Sequence, residues 1–184
     1  MRTAKEPRKG KGPRRFIAVT AKLGIPEDYG TKRGLPLQTE TTELVSIGAN
    51  PDGREIALEP DTAAAWMRMR DAAASDGLTL LAISGFRSVE RQAEIIQGKL
   101  SRGERIDAIL KTIAAPGYSE HHTGRAIDLG VPGEPLLTEC FALTRAFTWL
   151  VAHGHEHGFR LSYPKGNAHE IAFEPWHWCF WKDL

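Results

Sequence analysis

Residues 119–130 read SEHHTGRAIDLG, and this stretch decides how the rest of the sequence is interpreted. It places His121 and Asp128 seven positions apart, with Gly124 between them. On a straight strand that rises about 3.3 Å per residue, the two side chains would lie roughly 23 Å apart, too far to bind one ion. Glycine tolerates the backbone angles of a tight reversal, so a turn at Thr123-Gly124 would bring an imidazole and a carboxylate together around one cation.

A second stretch, EPWHWCFW at residues 174–181, supplies a further imidazole and a further carboxylate. In a regular strand the odd spacing of Glu174 and His177 would send them to opposite faces, so we expect Pro175 to mark a bend before the strand. Both side chains then face the same cavity. The aromatic residues around His177 are expected to pack into the core and to hold the imidazole rigidly.

Together, His121, Asp128 and His177 would form a site with two nitrogen ligands and one oxygen ligand. Catalytic zinc uses such a set when its fourth position holds water. Zinc lowers the pKa of that water toward about 7, and Glu174 could take the proton as the water attacks an amide carbonyl. The residues therefore predict one zinc ion per chain and hydrolysis of an amide.

The segment upstream places an arginine at the junction of a strand and a helix. Residues 78–84 read LTLLAIS, a short apolar run that predicts a buried strand. A helix follows with Ser88 as its N-cap, so Arg87 lies at the junction and Gln92 lies one turn into the helix.

Other elements follow from turn and cap signals. The turn sequence at residues 50–53 separates two apolar runs and predicts a β-hairpin. Asp61 is the expected N-cap of a helix that Gly77 ends. Further helices are expected over residues 103–114 and 144–157.

Three motifs in this order resemble a known family. They are S-G-F-R-S-x-x-x-Q at residues 84–92, S-x-H-x-x-G-x-A-x-D at 119–128 and E-P-W-H at 174–177. In this combination the sequence is similar to the zinc D-alanyl-D-alanine carboxypeptidases of the VanY type, which are LAS-type metallopeptidases. The similarity covers roughly residues 43–181. It departs at Phe86, where Tyr is common.

The resemblance implies an α+β fold in which a small antiparallel sheet carries a zinc site and helices flank the sheet, the LAS or hedgehog-like metallopeptidase fold. It implies that His121, Asp128 and His177 bind the zinc and that Glu174 is the catalytic base. Arg87 is implied to bind the terminal carboxylate of the substrate or to steady the developing oxyanion.

Physical chemistry agrees with that assignment of Arg87, because its planar guanidinium suits a carboxylate and stays charged at any working pH. Gln92 could add a polar contact to the substrate, and Ser119 could orient the peptide or a ligand through its hydroxyl. The expected partner is a peptidoglycan stem peptide or precursor that loses a terminal D-alanine, from either a D-Ala-D-Ala or an L,D linkage.

Composition and charge indicate the class of protein and the division of the chain into an arm and a domain. The chain has 184 residues, 41% hydrophobic and 26% charged, which is ordinary globular usage and excludes a disordered, collagen-like or coiled-coil chain. Residues 1–15 carry seven Lys/Arg and one Glu, so their net charge of +6 contrasts with −5 for the remainder. We predict a basic extended arm with loops over residues 1–40, without nucleic acid as a partner, and the zinc carboxypeptidase domain over 41–184.

The apolar runs are too short to cross a bilayer, and the N-terminal sequence is not typical of a signal peptide. This favours the cytoplasm, whereas a wall substrate favours the periplasm or cell wall, so both locations stay open. A monomer is expected. Cys140 and Cys179 are typical of buried thiols, although a single disulfide also stays open.

Several alternatives share parts of the pattern. An endopeptidase of phage-lysin type would carry the same zinc motif, but Arg87 argues against it. A catalytically silent wall-binding module could keep the scaffold, although it would not need all three ligands and the base. A non-haem iron oxygenase also uses two histidines and a carboxylate, but such enzymes usually place two ligands in an H-x-D pattern.

Overall fold

A β-hairpin opens the sheet-forming part of the chain, as the turn sequence predicts. In the computed structural model, which describes residues 19–181, β1 (Val45–Ala49) pairs antiparallel with β2 (Glu55–Leu58). The buried Asn50 organises the turn, because its Oδ1 accepts hydrogen bonds from the backbone amides of Asp52 and Arg54 at 3.1 and 2.9 Å.

A four-stranded antiparallel sheet forms the centre of the fold. Its strands lie in the order β3 (Leu81–Ser84), β4 (Ala126–Gly130), β6 (His177–Phe180) and β5 (Phe159–Leu161). Strand β4 is buried along its whole length, and its register sets Asp128 directly opposite His177. The sheet therefore brings the two distant motifs side by side.

Helices flank this sheet, which confirms the expected α+β class. They are α1 (Tyr29–Arg33), α2 (Pro60–Ser75), α3 (Val89–Ser101), α4 (Ile106–Ile109) and α5 (Arg145–His153), with short 3-10 helices at Glu120–Thr123, Glu139–Leu143 and Gly154–His157. Within residues 19–181, no helix is long and apolar enough to cross a membrane.

The main core lies between the sheet and the pair α2 and α5. Trp66 and Met69 of α2 and Leu150 of α5 are buried against Ile127 and Leu129 of β4. Successive side chains of a strand point to opposite faces, so Asp128, between Ile127 and Leu129, points away from this core. The predicted metal ligands Asp128 and His177, which are paired in register, therefore lie on the face of the sheet opposite α2 and α5.

Several element boundaries differ from the sequence prediction, and two of the differences have a clear local form. Helix α2 begins at Pro60 and is capped by Glu59, whose carboxylate accepts the amide of Thr62 at 3.1 Å; the prediction of Asp61 as N-cap was wrong. Proline fits the first helical position, so the cap must precede it. In the region 103–114, only Ile106–Ile109 is α-helical before the chain turns.

The segment before residue 41 also differs from the extended arm that we predict there. Residues 19–22 are helical, α1 follows, and Leu23, Ile25 and Tyr29 are buried in a second core with α3 and α4. The basic residues 1–15 lie outside the described residues, so the prediction for them stays a prediction. Cys179 is buried as expected, but Cys140 is exposed, so the expectation of a buried thiol was wrong there; both are free thiols.

Candidate metal centre

Three side chains from the two motifs meet at one point on the sheet. One ligand atom from each of His121, Asp128 and His177 lies within 4.8 Å of the other two, and all three residues are buried. The carboxylate of Asp128 lies between the imidazoles, with Oδ2 3.2 Å from His121 Nε2 and Oδ1 3.0 Å from His177 Nδ1. The convergence predicted from spacing is therefore present.

The chain reverses between His121 and Asp128 at the predicted position. The 3-10 helix Glu120–Thr123 ends at Gly124, whose φ of +70° lies in the left-handed region. A Cβ at this position would lie 2.8 Å from the backbone nitrogen of Glu59, which itself donates to the carbonyl of Gly124 at 3.0 Å. Glycine is required here because both the angle and the close approach exclude a side chain.

The outer nitrogen of each imidazole is held by a protein acceptor. His121 Nδ1 lies 2.7 Å from the carbonyl oxygen of Gly85, and His177 Nε2 lies 2.9 Å from Oε2 of Glu120. An imidazole that donates from one nitrogen presents a lone pair on the other. The donor set of His121 Nε2, Asp128 and His177 Nδ1 therefore fits a zinc ion, with two nitrogens, one oxygen and both rings fixed from behind.

The charges of the cluster are strongly coupled. Burial opposes ionisation of Asp128, but His121 and His177 outweigh it and hold the pKa of that carboxyl far below its usual range. Burial also disfavours the charged form of His177, yet its hydrogen bonds with Asp128 and Glu120 raise its pKa to about 10. The two carboxylates that face His177, those of Asp128 and Glu120, thus favour a positive charge at this point of the cluster.

Glu174 approaches the same cluster from the turn that precedes β6. The backbone amide of His177 donates to the carbonyl of Glu174 at 3.0 Å, which closes the bend predicted at Pro175. Oε2 of Glu174 lies 4.0 Å from His177 Nδ1. Burial raises the pKa of Glu174 to about 7, although His177 and Arg87 oppose the shift, so this carboxyl can both accept and release a proton near neutral pH.

Arg87 reaches toward the cluster from the start of α3. Its guanidinium donates to Oε1 of Gln92 at 3.0 Å and to the hydroxyl of Ser84 at 3.2 Å, and it lies 3.9 Å from Oδ2 of Asp128. Gln92 in turn donates to the carbonyl of Ala114 at 2.6 Å. Gln92 is thus fixed between Arg87 and the backbone, and burial lowers the pKa of Arg87 without removing its charge.

A cavity of about 240 Å³ connects these groups. Arg87, Glu174, Ser119 and the three clustered residues line it together with apolar side chains, among them Ile95, Ile113, Ile171 and Trp176. Every residue that the sequence predicts for the site therefore contacts a single cavity.

Two residues that flank His121, the half-buried Glu120 and the buried His122, also take part in the site, although the sequence pattern assigned them no role. Glu120 contacts His177, and His122 donates from Nδ1 to the carbonyl of Arg87 at 2.6 Å and accepts the amide of Gly117 at 3.1 Å. Burial lowers the pKa of His122 to about 4, so it stays neutral and anchors the backbone of Arg87. Their position next to His121 in the sequence was the signal that could have identified them. The direction in which their side chains point depends on the 3-10 helix, which the sequence pattern did not predict.

Known proteins match this chain in sequence and in structure. The VanY family, described as D-alanyl-D-alanine carboxypeptidase, matches residues 55–183. YodJ of Bacillus subtilis (strain 168) is 37% identical over 125 residues, which cover 65% of this chain and 45% of YodJ. This chain thus spans less than half the length of that relative.

Two solved structures have a similar fold. The LdcB LD-carboxypeptidase is 31% identical, with a TM-score of 0.70 over 79% of this chain and 71% of that chain. A variant of VanY, a vancomycin-resistance D,D-pentapeptidase, in complex with Zn(II) is 26% identical, with a TM-score of 0.60 over 76% of this chain and 79% of that chain.

Proposed function

Since this chain belongs to the VanY family of D-alanyl-D-alanine carboxypeptidases, we propose that it is a zinc-dependent carboxypeptidase that removes the terminal D-alanine from peptidoglycan stem peptides. The observation that carries the proposal is the convergence of His121, Asp128 and His177 on one cavity with Glu174 and Arg87. Neither the metal cluster alone nor a lone cationic pocket would favour an exopeptidase over other hydrolases.

We assign one zinc ion per chain to His121 Nε2, Asp128 and His177 Nδ1. A zinc ion held there supplies Lewis acidity, which polarises a carbonyl and makes water more acidic. The neighbour that was solved with Zn(II) supports this choice of metal. Among residues 19–181, this is the one group of His, Cys, Asp and Glu close enough to hold a metal ion.

Glu174 is proposed as the general base and then the general acid. Its carboxylate removes a proton from the attacking water as a carbon–oxygen bond forms at the scissile carbonyl. It then returns the proton to the amide nitrogen as the carbon–nitrogen bond breaks, so that free D-alanine leaves as an amine. A pKa near 7 suits both transfers, and a cation beside Glu174 favours its ionised form.

Arg87 is proposed to bind the free carboxylate of the terminal D-alanine. A guanidinium offers two parallel N–H donors to a carboxylate, and the apolar part of the cavity accommodates a methyl side chain beside it. The requirement for a free terminal carboxylate is what makes the enzyme an exopeptidase. Ser119, which lines the same cavity, is proposed as a hydrogen-bond partner of the peptide.

The bond that is cut is either D-Ala-D-Ala or an L,D linkage. The relatives support both, since the family is described by the first linkage and LdcB is an LD-carboxypeptidase. We place the catalytic domain within residues 41–184, which contain the whole matched region.

The proposal is tested with zinc-loaded protein and two synthetic stem peptides, a pentapeptide ending in D-Ala-D-Ala and a tetrapeptide ending in an L,D-linked D-alanine. Each is supplied with a free and with an amidated C-terminus, and products are identified by mass spectrometry. We expect release of D-alanine from at least one free peptide and from neither amidated peptide. Glu174→Ala should keep zinc and lose about 10²–10⁴-fold in kcat.

Other outcomes of the same experiment would contradict the proposal. Internal cleavage that is indifferent to amidation would indicate an endopeptidase. Tight peptide binding without cleavage under any divalent metal would indicate a silent binding module. Full activity of the Glu174→Ala variant would remove the proposed base.

A further inference from the structure

The ring of His177 is fixed at both of its nitrogens. Nδ1 faces Asp128 at 3.0 Å, and Nε2 lies 2.9 Å from Oε2 of Glu120. Glu120 begins the 3-10 helix and directly precedes His121 in the chain. Glu120, the neighbour of His121 in the chain, therefore contacts His177, which lies 57 positions away in the sequence.

Glu120 is held in a site of its own behind the imidazole. Its side chain is 15% exposed, against 4% for His177, so the carboxylate lies nearer the surface than the imidazole that it contacts. The hydroxyl of Ser162 and the thiol of Cys179 lie beside it. These groups are neutral, and the ring nitrogen that Oε2 of Glu120 contacts at 2.9 Å is Nε2 of His177.

The two imidazoles of the cluster are supported in different ways. His121 Nδ1 pairs with the backbone carbonyl of Gly85 at 2.7 Å, a neutral acceptor that no side-chain substitution removes. His177 pairs with a carboxylate, whose hydrogen bonds are stronger because the acceptor is charged. The support of His177 is therefore the stronger of the two, and it is the one that depends on a replaceable side chain.

We propose that Glu120 is a positioning residue for the metal centre, which keeps the proton of neutral His177 on Nε2 and so directs the Nδ1 lone pair at the zinc ion. This inference rests on the proposed function for the identity of the ligands. An imidazole can bind a metal through one nitrogen only when its proton is on the other, and an outer carboxylate fixes both the tautomer and the ring orientation.

Zinc affinity separates this role from a purely structural one. The variants Glu120→Ala and Glu120→Gln are compared with wild type by competition against a chromophoric zinc chelator. Glu156→Gln is the matched control, because Glu156 also contacts an imidazole, that of His153 at 3.3 Å, but on the exposed surface. We expect Glu120→Ala to weaken zinc binding roughly 10–100-fold, as is typical for outer partners of metal ligands.

Glutamine keeps an oxygen acceptor without the charge, so Glu120→Gln should lose less than Glu120→Ala, and Glu156→Gln should stay within about 2-fold of wild type. If Glu120→Ala folds poorly, the zinc affinities of Glu120→Gln and Glu156→Gln are compared instead, and a loss confined to Glu120→Gln supports the positioning role. In zinc-loaded wild type, nitrogen-15 spectra of the histidines should show the proton of His177 on Nε2.

The inference is overturned if both Glu120 variants bind zinc within about 2-fold of wild type, or if the spectra place the proton of His177 on Nδ1. A failure of the proposed function is different in kind. In that case wild type itself binds zinc weakly, or binds it without cleaving either peptide, whatever Glu120 does.

Discussion

The residues that line the cavity form two sets, which differ in how their charges are paired and in how far they are exposed. The ligand wall, formed by His121, Asp128 and His177, pairs its polar atoms with one another, and each residue is only 3–4% exposed. The recognition wall, formed by Arg87 and Gln92, fixes a guanidinium whose side chain is 21% exposed.

The hydrogen-bond partners of Arg87 explain why its charge is left unpaired, in contrast to the charges of the ligand wall. Arg87 donates to the amide oxygen of Gln92 and the hydroxyl of Ser84, which are neutral, and the nearest carboxylate oxygen is 3.9 Å away on Asp128. Neutral acceptors fix the position of a guanidinium without neutralising its charge. The charges of the ligand wall therefore favour a cation and those of the recognition wall favour an anion, as the proposed function requires.

The largest expected effect comes from the ligand wall. Asp128→Asn removes the one anion between two imidazoles, so zinc affinity should fall by more than the roughly 10–100-fold that outer partners cost, and kcat/KM should fall to background. Zinc competition and D-alanine release measure the two quantities. Asp76→Asn is the control, because Asp76 accepts a hydrogen bond from Trp149 at 2.7 Å on the exposed surface. If Asp128→Asn binds zinc with an affinity within a factor of ten of wild type, Asp128 is not the central zinc ligand of the ligand wall.

A smaller effect is expected on the recognition wall. Arg87→Lys keeps the charge and loses the planar fork, so kcat/KM for a peptide with a free C-terminus should fall roughly 10–100-fold, while zinc affinity stays unchanged. Arg91→Lys, one turn away and paired with exposed Glu94, is the matched control. An equal loss for free and amidated peptides would show that Arg87 does not bind the carboxylate.

The sequence predicted the convergence of the ligand wall, but it did not predict the contact of Glu120 that holds His177 in place. The convergence of His121, Asp128 and His177 follows from motif spacing and one glycine turn, and the structure contains it. The contact of Glu120 with His177 could not be predicted, because it depends on the 3-10 geometry of a four-residue segment and on the register between β4 and β6.

Outside the site, the errors have local causes. Asp61 has the chemistry of an N-cap, but Pro60 before it already occupies the first helical position, so Glu59 caps α2 instead. The apolar residues Leu23, Ile25 and Tyr29 lack helical periodicity over a useful length. Their burial against α3 and α4 is a tertiary contact, which a pattern within the segment does not reveal.

Gln92 gives the smallest and sharpest test, since sequence and structure suggest different partners for it. The sequence favours a direct contact with the substrate, whereas in the structure its Oε1 holds Arg87 and its Nε2 donates to Ala114. Loss of one such hydrogen bond costs about 1 kcal/mol, so Gln92→Ala should lower kcat/KM roughly 5-fold and leave zinc affinity unchanged.

A double-mutant cycle with Arg87→Ala then distinguishes the two partners. If Gln92 acts through Arg87, its substitution should change kcat/KM by less than about 2-fold once the guanidinium is absent, because coupled residues are not additive. If Gln92 contacts the peptide directly, the two losses multiply. Thermal unfolding of all variants shows whether the unpaired carbonyl of Ala114 costs stability instead. Full additivity would place Gln92 among the substrate contacts and reduce the recognition wall to Arg87 alone.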